Sequence, residues 1–174
     1  VAGGPGFVAV GDDYSTGESN AAVWTSPDGV TWTRVSDAVL GSTGTQIMET
    51  VTVGGPGLVV VGYEHAGTDF NGAVWTSTDG ASWVRVVDTD SALGGTNDQA
   101  ILGVAGNESG LVAVGYDSSG GDWDTTVWTS PDGDTWTRVA DNPAVFGGPG
   151  DQQVARVVAG GPGFVAAGRE TSGN

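Results

Sequence analysis

The side chains able to do chemistry here are overwhelmingly carboxylates. Twenty-one Asp and Glu stand against five bases, all arginine, for a formal charge of −16. Asp122 and Asp124 flank Trp123, and Asp88 and Asp90 flank Thr89, so each pair places carboxylates two residues apart, as calcium loops do. Neither pair continues into a full ligand series. Calcium at these four residues is thus the one cation the sequence suggests, and no organic cofactor is expected. His65 is the single histidine, lacks partners at metal-ligand spacing, and reads as a surface residue. The absence of cysteine excludes disulfides, thiolate zinc sites and thiol chemistry. No Gly-x-Ser-x-Gly, P-loop or zinc motif occurs.

Three further carboxylates recur in one context. Ser26-Pro27-Asp28-Gly29-Val30-Thr31-Trp32 returns as Ser77-Thr78-Asp79-Gly80-Ala81-Ser82-Trp83 and as Ser130-Pro131-Asp132-Gly133-Asp134-Thr135-Trp136. An aspartate entering a turn accepts backbone N–H bonds, and the glycine after it supplies positive φ without steric cost. Each closing tryptophan is then free to pack on its own sheet beside Trp24, Trp75 or Trp128. These turns resemble the Asp-box, or BNR, repeat of sialidases, sortilin-type receptors and other secreted propellers. One departure is that aspartate and glycine are adjacent, where the usual pattern separates them by a residue. This shorter turn is similar to that of bacterial propellers with Trp-Thr-Ser-x-Asp-Gly blades. The resemblance implies a structural role for Ser26, Asp28, Gly29, Trp32 and their counterparts, away from any active site. It also implies an extracellular or cell-surface setting.

The elements that position these residues are themselves repeated. Gly6-Phe7-Val8-Ala9-Val10-Gly11 has counterparts starting at Gly57, Gly110 and Gly163, roughly every 50 residues. Four strands fit into each repeat. The first lies around Met48 to Val53, Ile101 to Ala105 and Val154 to Ala159. The second is the valine-rich segment, apolar on both faces as in a sandwiched sheet. The third is Ala-Val-Trp-Thr and the fourth Trp-Thr-Arg-Val, both alternating. Nothing shows helical periodicity. This predicts an all-β chain of β-propeller blades, each of four antiparallel strands, with about three and a half repeats over 1–46, 47–98, 99–151 and the partial 152–174. Propellers usually need four to eight blades. The chain, which opens inside the apolar Val1-Ala2-Gly3, is therefore read as a piece of a longer propeller or as one completed by further copies.

In an antiparallel meander the box turns share one face, and the loops between second and third strands share the other with those joining repeats. Fifteen of the acids fall in that second set of loops. The predicted binding face comprises Asp13, Glu64, Asp69, Phe70, Asp117, Asp122, Trp123 and Asp124, with the two aromatics available to stack on a sugar or a partner side chain. Three arginines (Arg34, Arg85, Arg138) occupy one slot on the outermost strand and cannot converge centrally, so a sialidase-type arginine cluster is absent. Tyr63 and Tyr116 are repeat-equivalent and read as packing residues. Asn107-Glu108-Ser109 fits a glycosylation sequon.

The charge excludes the basic footprint that nucleic-acid binding needs, and no apolar run approaches the ~20 residues of a membrane span. The first expectation is a secreted, non-catalytic binding or scaffold module, its ligand a glycan or a protein. The alternatives are a piece of a sialidase-like glycan hydrolase, marked by non-repeating acids and arginines at the channel mouth, and a structural repeat protein assembling through blade edges.

Overall fold

The computed structural model describes residues 1–4, 6–15, 17–41, 44–88, 92–161 and 163–171. Its first sheet runs β1 (Ala2–Gly3), β2 (Gly6–Asp13), β3 (Asn20–Ser26) and β4 (Thr33–Arg34). The second is β5 (Gln46–Gly54), β6 (Gly57–Ala66), β7 (Asp69–Ser77) and β8 (Val84–Arg85). The third is β9 (Gln99–Asn107), β10 (Gly110–Asp117), β11 (Asp124–Ser130) and β12 (Thr137–Arg138). A fourth sheet holds β13 (Gln152–Gly160) and β14 (Gly163–Glu170) alone. Each sheet is an antiparallel meander in chain order, as the repeat predicts. The first strands β5, β9 and β13 are longer than the apolar cores suggested, while fourth strands pair over only two residues. The tryptophan before each fourth strand belongs to the turn instead.

The sheets stack face to face, and the period-two rule explains how one strand serves two interfaces. Val60 joins Val8, Val23, Met48, Trp75 and Trp83 between the first and second sheets. Val59 and Val61 join Ile101, Leu111, Trp128 and Trp136 between the second and third. All three valines are fully buried, each burial stabilising by about 1.5–3 kcal/mol. The third interface, around Ala105, Val114 and Val157, is smaller. A short 3-10 turn, Ala38–Gly41, tucks Leu40 into the first interface. Among the described residues no helix is long and apolar enough to cross a membrane.

The first strands meet one another: β5 packs on β9, and β9 on β13. These strands therefore line the side on which the blades converge. Each carries a bulge at the same level, leaving Glu49, Leu102 and Ala155 out of the ladder. The bulge brings a first-strand carbonyl against the glycine that ends each valine run. A Cβ on Gly62 or Gly115 would stand 1.9 Å from the oxygen of Ile47 or Ala100, and one on Gly168 2.0 Å from that of Gln153. Only glycine fits such an approach.

The box turns are closed hydrogen-bonded units. The Ser26 hydroxyl accepts the Gly29 N–H at 2.8 Å and donates to Asp28 Oδ1 at 3.0 Å. The same Oδ1 accepts the N–H groups of Val30 and Thr31, and Trp32 Nε1 donates to the Gly29 carbonyl. Asp79 with Ser77, Gly80 and Trp83 repeats this pattern, as does Asp132 with Ser130, Gly133 and Trp136. Gly29, Gly80 and Gly133 all have positive φ. The Thr31 and Val30 amide bonds hold the Asp28 carboxyl at about 2.

Candidate functional site

The predicted binding face turns out to be largely tied into the scaffold. Asp13, Glu64 and Asp117, at the ends of second strands, form ion pairs with Arg34, Arg85 and Arg138 of their own sheets. The Glu64–Arg85 pair is two-pronged, at 2.7 and 3.2 Å. The guanidinium of Arg34 and the Ser15 N–H lower the Asp13 carboxyl to about 2. At Asp117 burial opposes the charge, but bonds from Ser119 and Arg138 outweigh it and keep the carboxyl below its usual range.

Phe70 and Trp123 do not stand free either. Phe70 packs edge-on against Tyr63 at 5.3 Å and also meets His65, while Trp123 stacks on Tyr116 at 4.6 Å. Their backbone N–H groups donate to Asp98 and Asp151, the last residues of their own repeats, just before the next blade's first strand. Each of these aspartates staples one hairpin to the next blade. Asp122 accepts the Gly150 N–H, Asp88 accepts those of Ala92 and Leu93, and Asp37 accepts that of Trp83. Asp69 opens β7, half-buried. Asp124 borders a cavity of about 260 Å3 with Asp117, Arg138, Asp141 and Phe146. Burial there, with the charges of Asp122 and Asp117, pushes its carboxyl upward. Of the calcium candidates, Asp90 lies outside the described residues, and Asp88 and Asp122 serve as acceptors for backbone N–H groups. Among the described residues no three His, Asp or Glu come together as a metal site.

A second cluster lies where the first strands converge. The slot after the glycine that ends each valine-rich run holds Asp12, Tyr63, Tyr116 and Arg169 in four successive blades. The bulge slot holds Glu49, then Leu102 and Ala155. Chemistry varies here while the surrounding scaffold repeats. Burial raises the Glu49 carboxyl above its usual value, the charge of Asp12 adds to the effect, and Arg156 opposes it. Burial also raises the phenol of Tyr63, reinforced by Glu49 and Asp12. Tyr116 follows for the same first reason, reinforced by Tyr63, Asp98 and Glu49. Glu49 thus feels the charges of both Arg156 and Asp12. The tyrosines do pack, as expected, and the charge of Glu49 acts on both phenols. Glu49 carried no signal of its own in a strand rich in polar residues. Its signal is positional, the one acid in a slot otherwise filled by leucine and alanine.

No family model matches the chain, and no curated protein does. Among solved structures it is similar to a glycosyl hydrolase from Bacteroides ovatus, with a TM-score of 0.54 and 14% identity over 94% of this chain and 57% of that one. It is also similar to a β-fructofuranosidase from Bombyx mori solved in complex with sucrose, with a TM-score of 0.52 and 13% identity over 92% of this chain and 41% of that one. The chain thus spans about half the length of the structures it matches. At such identities the likeness is one of fold: an all-β, partial propeller of four-stranded blades.

Proposed function

We propose that this propeller handles carbohydrate at the mouth formed by its first strands, with Asp12 and Glu49 as the carboxyl pair that cleaves a glycosidic bond. The observation that carries the reading is the pair of acids in slots where the other repeats place Tyr, Leu, Ala and Arg, in sheets whose strands pack together. Glycoside hydrolysis uses two carboxyls in different protonation states flanking the bond. A raised Glu49 is suited to give its proton to the leaving oxygen as the C–O bond breaks. Asp12 then faces the positive charge developing at the anomeric carbon, and water adds to that carbon while giving a proton back to Glu49. Tyr63 and Tyr116, with phenols held protonated, offer donors and ring faces to the sugar. The glycoside-cleaving names of the two structural neighbours support the same direction, and such a substrate suits a protein working outside the cell.

The rival reading, a non-catalytic module binding through the loop face, is weakened because Asp13, Glu64, Asp117, Asp88 and Asp122 already have internal partners. The test is release of reducing ends from a panel of oligosaccharides by the chain and its Asp12→Asn and Glu49→Gln variants. Loss of about 10²–10⁴-fold in either variant, with unchanged melting, is the expected result. Hydrolysis indifferent to both substitutions, or none from any panel member, would overturn the reading.

A further inference from the structure

Gln46, Gln99 and Gln152 occupy one slot of the repeat, opening β5, β9 and β13. Glutamine is mostly an exposed residue, yet these three retain only 4%, 1% and 9% exposure. In each, the side-chain oxygen is buried and has no hydrogen-bond partner among the described residues. The Gln99 amide nitrogen donates to the Thr96 carbonyl at 2.8 Å. That bond sets the orientation of the amide, because turning it over would set two oxygens against each other. The orphaned atom is therefore an acceptor. The slot also adjoins the hairpin of the sheet before: the Gln46 N–H donates to the Ser19 carbonyl at 2.8 Å, and that of Gln152 to Trp123 at 2.6 Å. On the second sheet's hairpin, Asn71 Oδ1 is likewise buried and unpartnered among the described residues. Asn71 and Gln99 pack against adjacent glycines. A Cβ on Gly94 would stand 2.8 to 2.9 Å from the Asn71 amide, and one on Gly95 3.5 Å from Gln99 Oε1. Asp124 against Gly147 and Gln152 against Gly148 repeat the arrangement, and Asp124 Oδ1 is again buried without a partner. Gln46 and Gln99 both lie between complete four-stranded sheets.

We infer that each of these blade interfaces binds one fixed internal water, which donates to the glutamine oxygen and, at Asn71 and Asp124, to the hairpin oxygen as well. Two neutral acceptors match the two O–H donors of a single water. An enclosed acceptor left unmet forfeits the hydration it had in the unfolded chain, whereas a bridging water restores the bond at small entropic cost. A metal ion is poorly served there, since calcium takes about six to eight oxygens and the side chains of Asn71 and Gln99 supply one each. Where Asp124 replaces asparagine, the carboxylate accepts a charge-assisted bond and holds its water longest. The water then acts as a shared building block, tying the hairpin of one blade to the first strand of the next. Recurrence of glutamine at this slot follows from that role.

Oxygen-17 relaxation dispersion of the 174-residue chain counts waters held longer than the tumbling time, and diffraction from crystals of the same protein locates them. Long-lived waters are expected at the Gln46 and Gln99 interfaces, each with density within about 3.2 Å of the glutamine Oε1. Gln99→Met keeps the length of the side chain but removes the acceptor. It should lower the dispersion amplitude by the share of one water and leave the rest. Wild-type crystals with no solvent in reach of Gln46 and Gln99 Oε1, or an amplitude that Gln99→Met does not change, overturn the inference. A cation at about 2.3–2.6 Å from those oxygens overturns it too. The wild-type crystals decide the matter even if Gln99→Met fails to fold.

Discussion

The three box tryptophans have one sequence context but should differ widely in their contribution to stability. Trp83 and Trp136 retain 3% and 6% exposure, because each packs against the blade before its own, whereas Trp32 is 43% exposed. Truncating a buried tryptophan costs about 3–5 kcal/mol through lost transfer energy and a residual cavity. Trp32 gives up roughly half as much burial and leaves no enclosed cavity, so Trp32→Ala should cost about 1–2 kcal/mol. A domain of this size loses roughly 2–4 °C of melting temperature per kcal/mol. Trp83→Ala and Trp136→Ala should therefore melt about 7 °C below Trp32→Ala, from a gap of about 2.5 kcal/mol at about 3 °C each. Thermal denaturation followed by circular dichroism at matched concentrations measures the gap. Equal losses in all three variants would refute the reasoning, since they would mean that each tryptophan acts inside its own turn and not across the blade interface.

A second contrast concerns the glycines that face the bulges. Gly62→Ala drives a Cβ to within 1.9 Å of the Ile47 oxygen, while at Gly11 the nearest atom is a Trp24 ring carbon at 3.7 Å. Urea titration should show the first losing about 3 kcal/mol or more and the second nearly nothing, and equal effects would remove the bulge as the cause. Acid stability offers another test. Asp13 and Asp28 are lowered from 3.8 to about 2, and Asp79 and Asp132 are lowered in the same direction. Unfolded chains bind protons at these sites first, so their contribution is full above about pH 4 and disappears as the pH falls through about 2. Replacing Asp28, Asp79 and Asp132 by Asn should flatten the fall in urea midpoint between pH 5 and pH 2, and an unchanged slope would show that the boxes do not set it.

What was legible in the sequence was what is local. Ser26, Asp28, Gly29 and Trp32 close their turn within seven residues, so their roles follow from residue type and order. The valine run at Val59 to Val61 points to a strand covered on both faces because it is short, β-branched and bounded by glycines. Partnerships made through the fold were not legible. Asp13 and Arg34 meet only because Arg34 reaches over the Trp24 ring of the intervening third strand. Phe70 and Trp123 looked available for a ligand because their companions Tyr63 and Tyr116 lie on the neighbouring strand. Asp98 and Asp151 read as wet loop acids, although each holds a hairpin amide 28 residues earlier in its own repeat. Glu49 emerged only when the bulge aligned it with Leu102 and Ala155, since register, not composition, sets which residues face the convergence of the blades.

The central claim, that Glu49 donates a proton in glycosidic cleavage with Asp12 as its counterpart, is tested most directly by the leaving-group dependence of kcat/KM. Wild type and Glu49→Gln would be compared on an alkyl glycoside, whose leaving oxygen needs protonation, and on a nitrophenyl glycoside, whose oxygen does not. The account predicts a loss of about 10²–10⁴-fold on the alkyl substrate and a much smaller one on the nitrophenyl substrate. It further predicts that wild-type activity on the alkyl glycoside falls as rising pH deprotonates Glu49. Equal losses on both substrates, or no loss on either, would contradict it.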